Sequence, residues 1–156
     1  MSKKRIIIIL IFFCFVGLLL FLAKNSLITM SNFSFEQREL GEAIIAEDID
    51  NLNVLIKKGF SPDLINKKGE SLLMYAIKNN KPEAIKSIIK NGANINMVVD
   101  EMHSAIEAAI KTKNNKLLEL IIGLGGDVNL LHSQSSRPLN YAFYYKNLEA
   151  VEILIK

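Results

Sequence analysis

From residue 34 onward, apolar positions fall at helical spacing in short bursts broken at regular intervals. Between residues 70 and 98, Leu73, Ala76 and Ile77 lie at i, i+3 and i+4 and predict a short helix with one apolar face. Asn79 and Asn80 break the pattern, because Asn tolerates the left-handed conformation that a helix end requires. Pro82 suits the first turn of a second helix, where its missing N–H costs nothing. Ala84, Ile85, Ile88 and Ile89 give that helix a buried stripe. Gly92 ends it, and Asn94 and Asn96 open an extended turn in which Asn side chains bond nearby backbone. The local unit is therefore helix, loop, helix, turn.

The unit repeats. Shifted by 33 residues, the chain matches itself: Gly59, Gly92 and Gly125 align, as do Ala43, Ala76, Ala109 and Ala142. Leu40, Leu73, Ile106 and Leu139 form a third series, and Ile56, Ile89, Ile122 and Ile155 a fourth. The phrases NGANIN at 91 to 96 and LGGDVN at 124 to 129 fall at the same point of the period. A constant period of this size predicts a stacked array of helix pairs in which neighbours bury each other's apolar faces.

A different pattern precedes the array. Residues 6 to 23, IIIILIFFCFVGLLLFLA, carry no charge. As a helix they would reach ~27 Å, close to the ~30 Å hydrocarbon core of a bilayer. Lys3, Lys4 and Arg5 stand before the segment and Lys24 after it, which predicts a cytoplasmic N-terminus and an array on the other side, periplasmic in a Gram-negative cell. The best cleavage position, after Ala23, has bulky Phe21 close before it, so a retained anchor is favoured over a cleaved signal. Cleavage, with release into the periplasm, is the alternative. The expected layout is a basic end at 1–5, an anchor at 6–23, a tether at 24–33 and the array at 34–156. The copies fall at about 34–65, 66–98, 99–131 and 132–156.

Charge then changes the picture. Of 19 Lys and Arg, four flank the anchor, leaving 15 against 16 Asp and Glu in the remainder. The formal +3 thus belongs to membrane insertion and argues against a nucleic-acid surface. The single cysteine, Cys14, lies in the anchor and excludes an internal disulfide and a cysteine zinc site. No phosphate loop, GxSxG or HExxH is present, and His103 and His132 have no second ligand in sequence reach. No catalytic residue, cofactor or metal is expected. Asp100, Glu101 and Glu107 read as a solvated turn and helix face.

The repeat resembles the ankyrin repeat, over residues ~35 to 156. The second copy carries NKKGESLLMYA at 66 to 76 and GANIN at 92 to 96; the third carries SAIEAA at 104 to 109 and GGDVN at 125 to 129. The fourth has RPLNYA at 137 to 142, and the first is degenerate, RELGEA at 38 to 43, closing with GFSPD at 59 to 63. The family's Thr-Pro-Leu-His corner is nowhere complete: its proline survives as Pro138, and Gly41, Met74, Glu107 and Asn140 occupy the histidine register. These copies should be less stable than consensus ones. The first copy has a polar outer surface suited to capping a stack, whereas Val151, Ile153, Leu154 and Ile155 leave the fourth little polar surface.

The resemblance implies an all-α solenoid of about four repeats that binds a protein on its concave surface, here expected behind the one transmembrane helix read from residues 6–23. It carries the contact positions over to Lys67, Lys68, Glu70, Lys78 and Asn79 in the second copy. In the third they are Asp100, Glu101, His103, Lys111 and Thr112, and in the fourth Ser133, Gln134, Ser136, Tyr144 and Tyr145. The two tyrosines are candidate interface anchors; the alternative packs Tyr141 and Phe143 between repeats and rests Tyr144 and Tyr145 on neighbouring side chains. In size and layout the chain is similar to membrane-tethered immunity proteins that block toxic secreted effectors such as lipases. A scaffold for a periplasmic or membrane enzyme is the second expectation, and an enzyme with a minimal concave-face site the third.

Overall fold

Each burst of apolar positions forms one helix, seven to nine residues long. The computed structural model describes residues 33–34, 37–99, 104–131 and 137–156, together with Val16. Its helices are α1 (Arg38–Ala46), α2 (Ile49–Lys57), α3 (Leu72–Lys78), α4 (Pro82–Lys90), α5 (Ala105–Thr112), α6 (Asn115–Gly123), α7 (Pro138–Tyr144) and α8 (Leu148–Leu154). Among the described residues there is no strand, and an isolated bridge joins Ile65 to Ser71. None of these helices is long and apolar enough to cross a membrane. The expected anchor at 6–23 lies outside the described residues apart from Val16.

The helix ends follow the period in their chemistry. Glu47, Asn80, Lys113 and Lys146 close the first helix of each pair in the left-handed conformation, with φ of 52, 55, 56 and 52°. The next residue caps the second helix: Asp48, Asn114 and Asn147 accept the N–H of Asn51, Leu117 and Ala150. Lys81 has no side chain for that task, and Pro82 at the first helical position stands in. At the start of the first helices, Ser71 and Ser104 accept from Met74 and Glu107, while Arg137 is followed by Pro138. Gly59, Gly92 and Gly125 carry the chain out of the second helices at φ of 111, 95 and 104°, a conformation that strains a side chain.

Helices this short are marginal alone in water, so packing holds them. α1, α3, α5 and α7 lie side by side as an inner row, α2 packs on α4 and α6 on α8 in an outer row, and the two helices of each copy pack on one another. The inner row meets through Ala43, Ala76, Ala109 and Ala142, all buried, and small side chains there let helices approach closely. Leu40, Leu73 and Ile106 fill the spaces beside them, and Leu52, Ile85, Leu118 and their neighbours seal the two rows. Phe33, expected as the last tether residue, is instead 1% exposed and meets Tyr75 edge-on at 5.0 Å.

The Asn/Asp phrases build a ladder between copies. Within each turn, Ser61, Asn94 and Asp127 accept the backbone N–H two residues on, at 3.2, 3.0 and 2.8 Å. Asp63 and Asn96 reach across instead: Asp63 accepts the N–H of Asn94 at 2.7 Å and Asn96 that of Asp127 at 2.8 Å. The expectation that these side chains bond nearby backbone therefore covers only half of their use. On the outer row, Asn53 accepts from Ser87 Oγ at 2.8 Å and Asn91 Nδ2 at 2.6 Å. In the fourth copy the apolar series ends uncovered: Phe143 is 58% exposed, where Ile77 and Ile110 in its register are fully buried.

Candidate partner-binding face

The exposed ends of the inner helices and the turn before α3 carry most of the expected contact residues that the structure describes. That turn is built on Asn66, which is buried. Its Oδ1 accepts the N–H of Lys68 at 2.8 Å and of Glu70 at 3.1 Å, and its Nδ2 donates to Glu70 Oε2 at 3.0 Å. Gly69 completes the tip at φ 71°. This holds Lys67 and Lys68 out as exposed cations. Glu70 lies back against α3, where its Oε1 accepts from Lys78 Nζ at 2.6 Å. Partial burial pushes the Glu70 carboxyl up, but the hydrogen bonds of Lys78 and Asn66 and the charges of Lys78 and Lys68 outweigh it and hold it below its usual range.

Two of the expected contact residues serve the helix ends. Asn79 Nδ2 donates to the carbonyl of Tyr75 at 2.8 Å, and Thr112 Oγ1 donates to that of Ala109 at 2.8 Å and accepts from Asn114 N–H at 3.3 Å. Lys78, Lys111 and Tyr144 share one register and stand in a row on α3, α5 and α7, all exposed. Asp100, Glu101, His103, Ser133, Gln134 and Ser136 lie outside the described residues.

The α5/α7 end of the row is aromatic. Tyr144 is 78% exposed and meets the half-buried Tyr145 edge-on at 5.1 Å, and Tyr141 stacks on Tyr145 at 6.5 Å. Lys111 Nζ lies 5.8 Å from the centre of the Tyr145 ring. Tyr145 Oη donates to Glu107 Oε1 at 3.3 Å. Burial and then the Glu107 charge and hydrogen bond push the Tyr145 phenol up to about 12, and burial and Glu107 raise Tyr141 as well. Of the alternative packing expected for this helix, half-buried Tyr141 fits but Phe143 does not, since it faces outward.

Glu107 corrects the sequence reading. It is not on a solvated helix face but 4% exposed, within a helix whose residues 105 to 110 are all buried between α3 and α7. The signal was its setting, one carboxylate among Ala105, Ile106, Ala108, Ala109 and Ile110 in a helix with neighbours on both sides. Asn66 was missed in the same way, as a turn residue whose side chain faces inward. Among the described residues no group of three or more His, Cys, Asp or Glu is placed to hold a metal ion.

The described part of the inner row carries exposed cations and tyrosines, a composition suited to another protein's surface. No curated protein matches the sequence. A family model described as ankyrin repeats in three copies matches residues 40–131, more than half of the chain and the span of α1 to α6. Ankyrin domains are generally non-catalytic modules that bind other proteins, and this chain, with helix pairs, turn tips and period all in agreement with that match, belongs to the ankyrin-repeat family.

Proposed function

We propose that the chain is a membrane-tethered binding module that holds another protein against the inner helices and turn tips, with Tyr144 and Tyr145 as its anchors. The observation that carries the reading is the exposure of Tyr144, 78%, at the end of the Lys78, Lys111, Tyr144 row. A large aromatic side chain left in water beside a second one is a ready anchor, because covering it releases apolar surface at low entropic cost. The segment at 6–23 supports tethering by its length and by the cations before it, and the same asymmetry supports an extracytoplasmic array. The layout, an anchor followed by a small array, directs the proposal toward an immunity protein. Its partner would be a toxic secreted enzyme such as a lipase, and its action steric, covering the mouth of the active site. A scaffold for a resident periplasmic or membrane enzyme would use the same face, and the partner's identity separates the two.

Affinity purification of the tethered protein from its own cells, with the Tyr144→Ala/Tyr145→Ala variant in parallel, tests the proposal. The parent chain should recover one protein, and the double variant should recover roughly tenfold less or none, the loss expected on removing an interface anchor. Full recovery by the variant would move the binding surface elsewhere.

A further inference from the structure

The first and fourth copies present chemically unlike faces. In the first, Asn51 stands exposed where Ala84, Leu117 and Ala150 are buried in the same register. Those positions look back along the stack: Ala84 lies in line with Ser87 and Asn91, which reach Asn53 of the copy before. Exposed Val54 stands beside Asn51, and Arg38 pairs with Glu42 along α1 at 3.3 Å. This face is mainly polar, as the end of a solenoid in water requires. The forward face of the fourth copy is the reverse. It continues the series that close the joints before it, and here they lie open. Phe143 is exposed where Ile44, Ile77 and Ile110 are fully buried, and Val151 is half-buried where Leu52, Ile85 and Leu118 are fully buried. Leu148, 71% exposed, holds the position at which Asn115 accepts from Asn147 of the next copy. Ile155 is 67% exposed in the register of half-buried Ile56, Ile89 and Ile122.

We propose that this face pairs with the same face of a second copy of the chain, fourth copy to fourth copy about a twofold axis. The face is one half of a joint that the inner helices already make three times, apolar where those joints are apolar. A second chain could answer it with either of two faces. Its first copy offers Asn51 and an ion pair, whereas its fourth copy offers the same large apolar side chains. Apolar surface therefore selects the like face, and like on like closes as a twofold instead of running on as a filament. Charge agrees. The joint positions of the fourth copy hold one cation, Lys146, in the register of Asn80, and one anion, Glu152, in the register of Asn53. A face with no net charge meets its duplicate without repulsion and gives a charged partner nothing to steer by. Its apolar character is that of contacts between identical chains more than of passing contacts between different ones. Size sets the strength. Two seven-residue helices, each ~10 Å long, make a contact at the low end of interface sizes, so the dimer is weak and reversible. The proposal uses a different face from the Lys78, Lys111, Tyr144 row and does not rest on the partner-binding reading.

Sedimentation equilibrium of the full chain in density-matched detergent micelles tests this. The parent should pass from one copy to two as its concentration rises through roughly 10–100 µM, the range of a small interface. Phe143→Asp/Leu148→Asp should raise the dissociation constant at least tenfold, because each carboxylate enters the contact twice. Both positions are exposed, and Asn147 Nδ2 holds the fourth copy to the third by donating to the carbonyl of Ile110 at 3.1 Å and to Asn115 Oδ1 at 3.0 Å. Circular dichroism of the double variant should therefore match the parent. Val54→Asp, on the first copy, should dimerise as the parent does. A parent that stays single, or face variants that dimerise unchanged, would overturn the proposal. So would masses that grow past two copies and fall back with Val54→Asp, which would make the assembly head to tail. A second measurement is independent of the charged variants. With Cys14→Ser as background, Leu148→Cys should couple to its twin through a flexible bis-maleimide far more than Val54→Cys does, and equal yields would overturn the proposal as well.

Discussion

Tyr145 joins two repeats through one hydroxyl, and that bond can be titrated. Its phenol is raised from 10.0 to about 12, first by burial and then by Glu107. A group whose folded value is raised contributes stability that is fully present below its unfolded value and lost as pH climbs through the folded one. The parent chain should therefore hold its advantage over Tyr145→Phe below pH 10.0 and lose it by about pH 12. Denaturant midpoints of both proteins across that window check the sign, and the phenolate absorbance near the upper end should be smaller by one tyrosine in the variant. None of this was legible in the sequence. The tyrosines stood out as a cluster in one helix, but Glu107 looked solvated because its burial comes from α3 and α7, each a full period away along the chain.

Helix ends show where the local code is strong and where it is strained. The sequence reading placed the left-handed residue at Asn79–Asn80, and Asn80 adopts it, with φ 55°. The same register in the other copies holds Glu47, Lys113 and Lys146, which offer no such signal, so the position was readable in one copy and carried to the rest only by the period. A non-glycine residue there costs roughly 1–2 kcal/mol, part of which glycine returns as its own chain entropy. Lys113→Gly should stabilise the array by about 0.5 kcal/mol, read as a higher urea midpoint. Gly92→Ala should lower it by about 1 kcal/mol or more, through backbone strain alone, because nothing lies within 4 Å of the added methyl.

For the molecule as a whole, the period made the stack legible from four aligned series, while its boundary was not. Phe33 sits in the stretch MSNFSFEQ, with no helical pattern to mark it as core, yet it is buried on Tyr75. Phe33→Ala should cost about 3–5 kcal/mol, measured by chemical denaturation, which would make the residue before the first repeat as costly to lose as one inside it. The cross-copy ladder has a different consequence. Asp63 to Asn94 and Asn96 to Asp127 each span 31 residues, so this turn bond is the same at the first two joints and belongs to neither copy in particular. A 33-residue block spliced in at the turn, carrying the same Asn/Asp phrase, would meet this turn bond on both sides. The turn ladder is thus blind to the number of repeats: recombination or design could lengthen the surface in whole units and keep this bond, while the contacts that differ from joint to joint would have to be supplied anew.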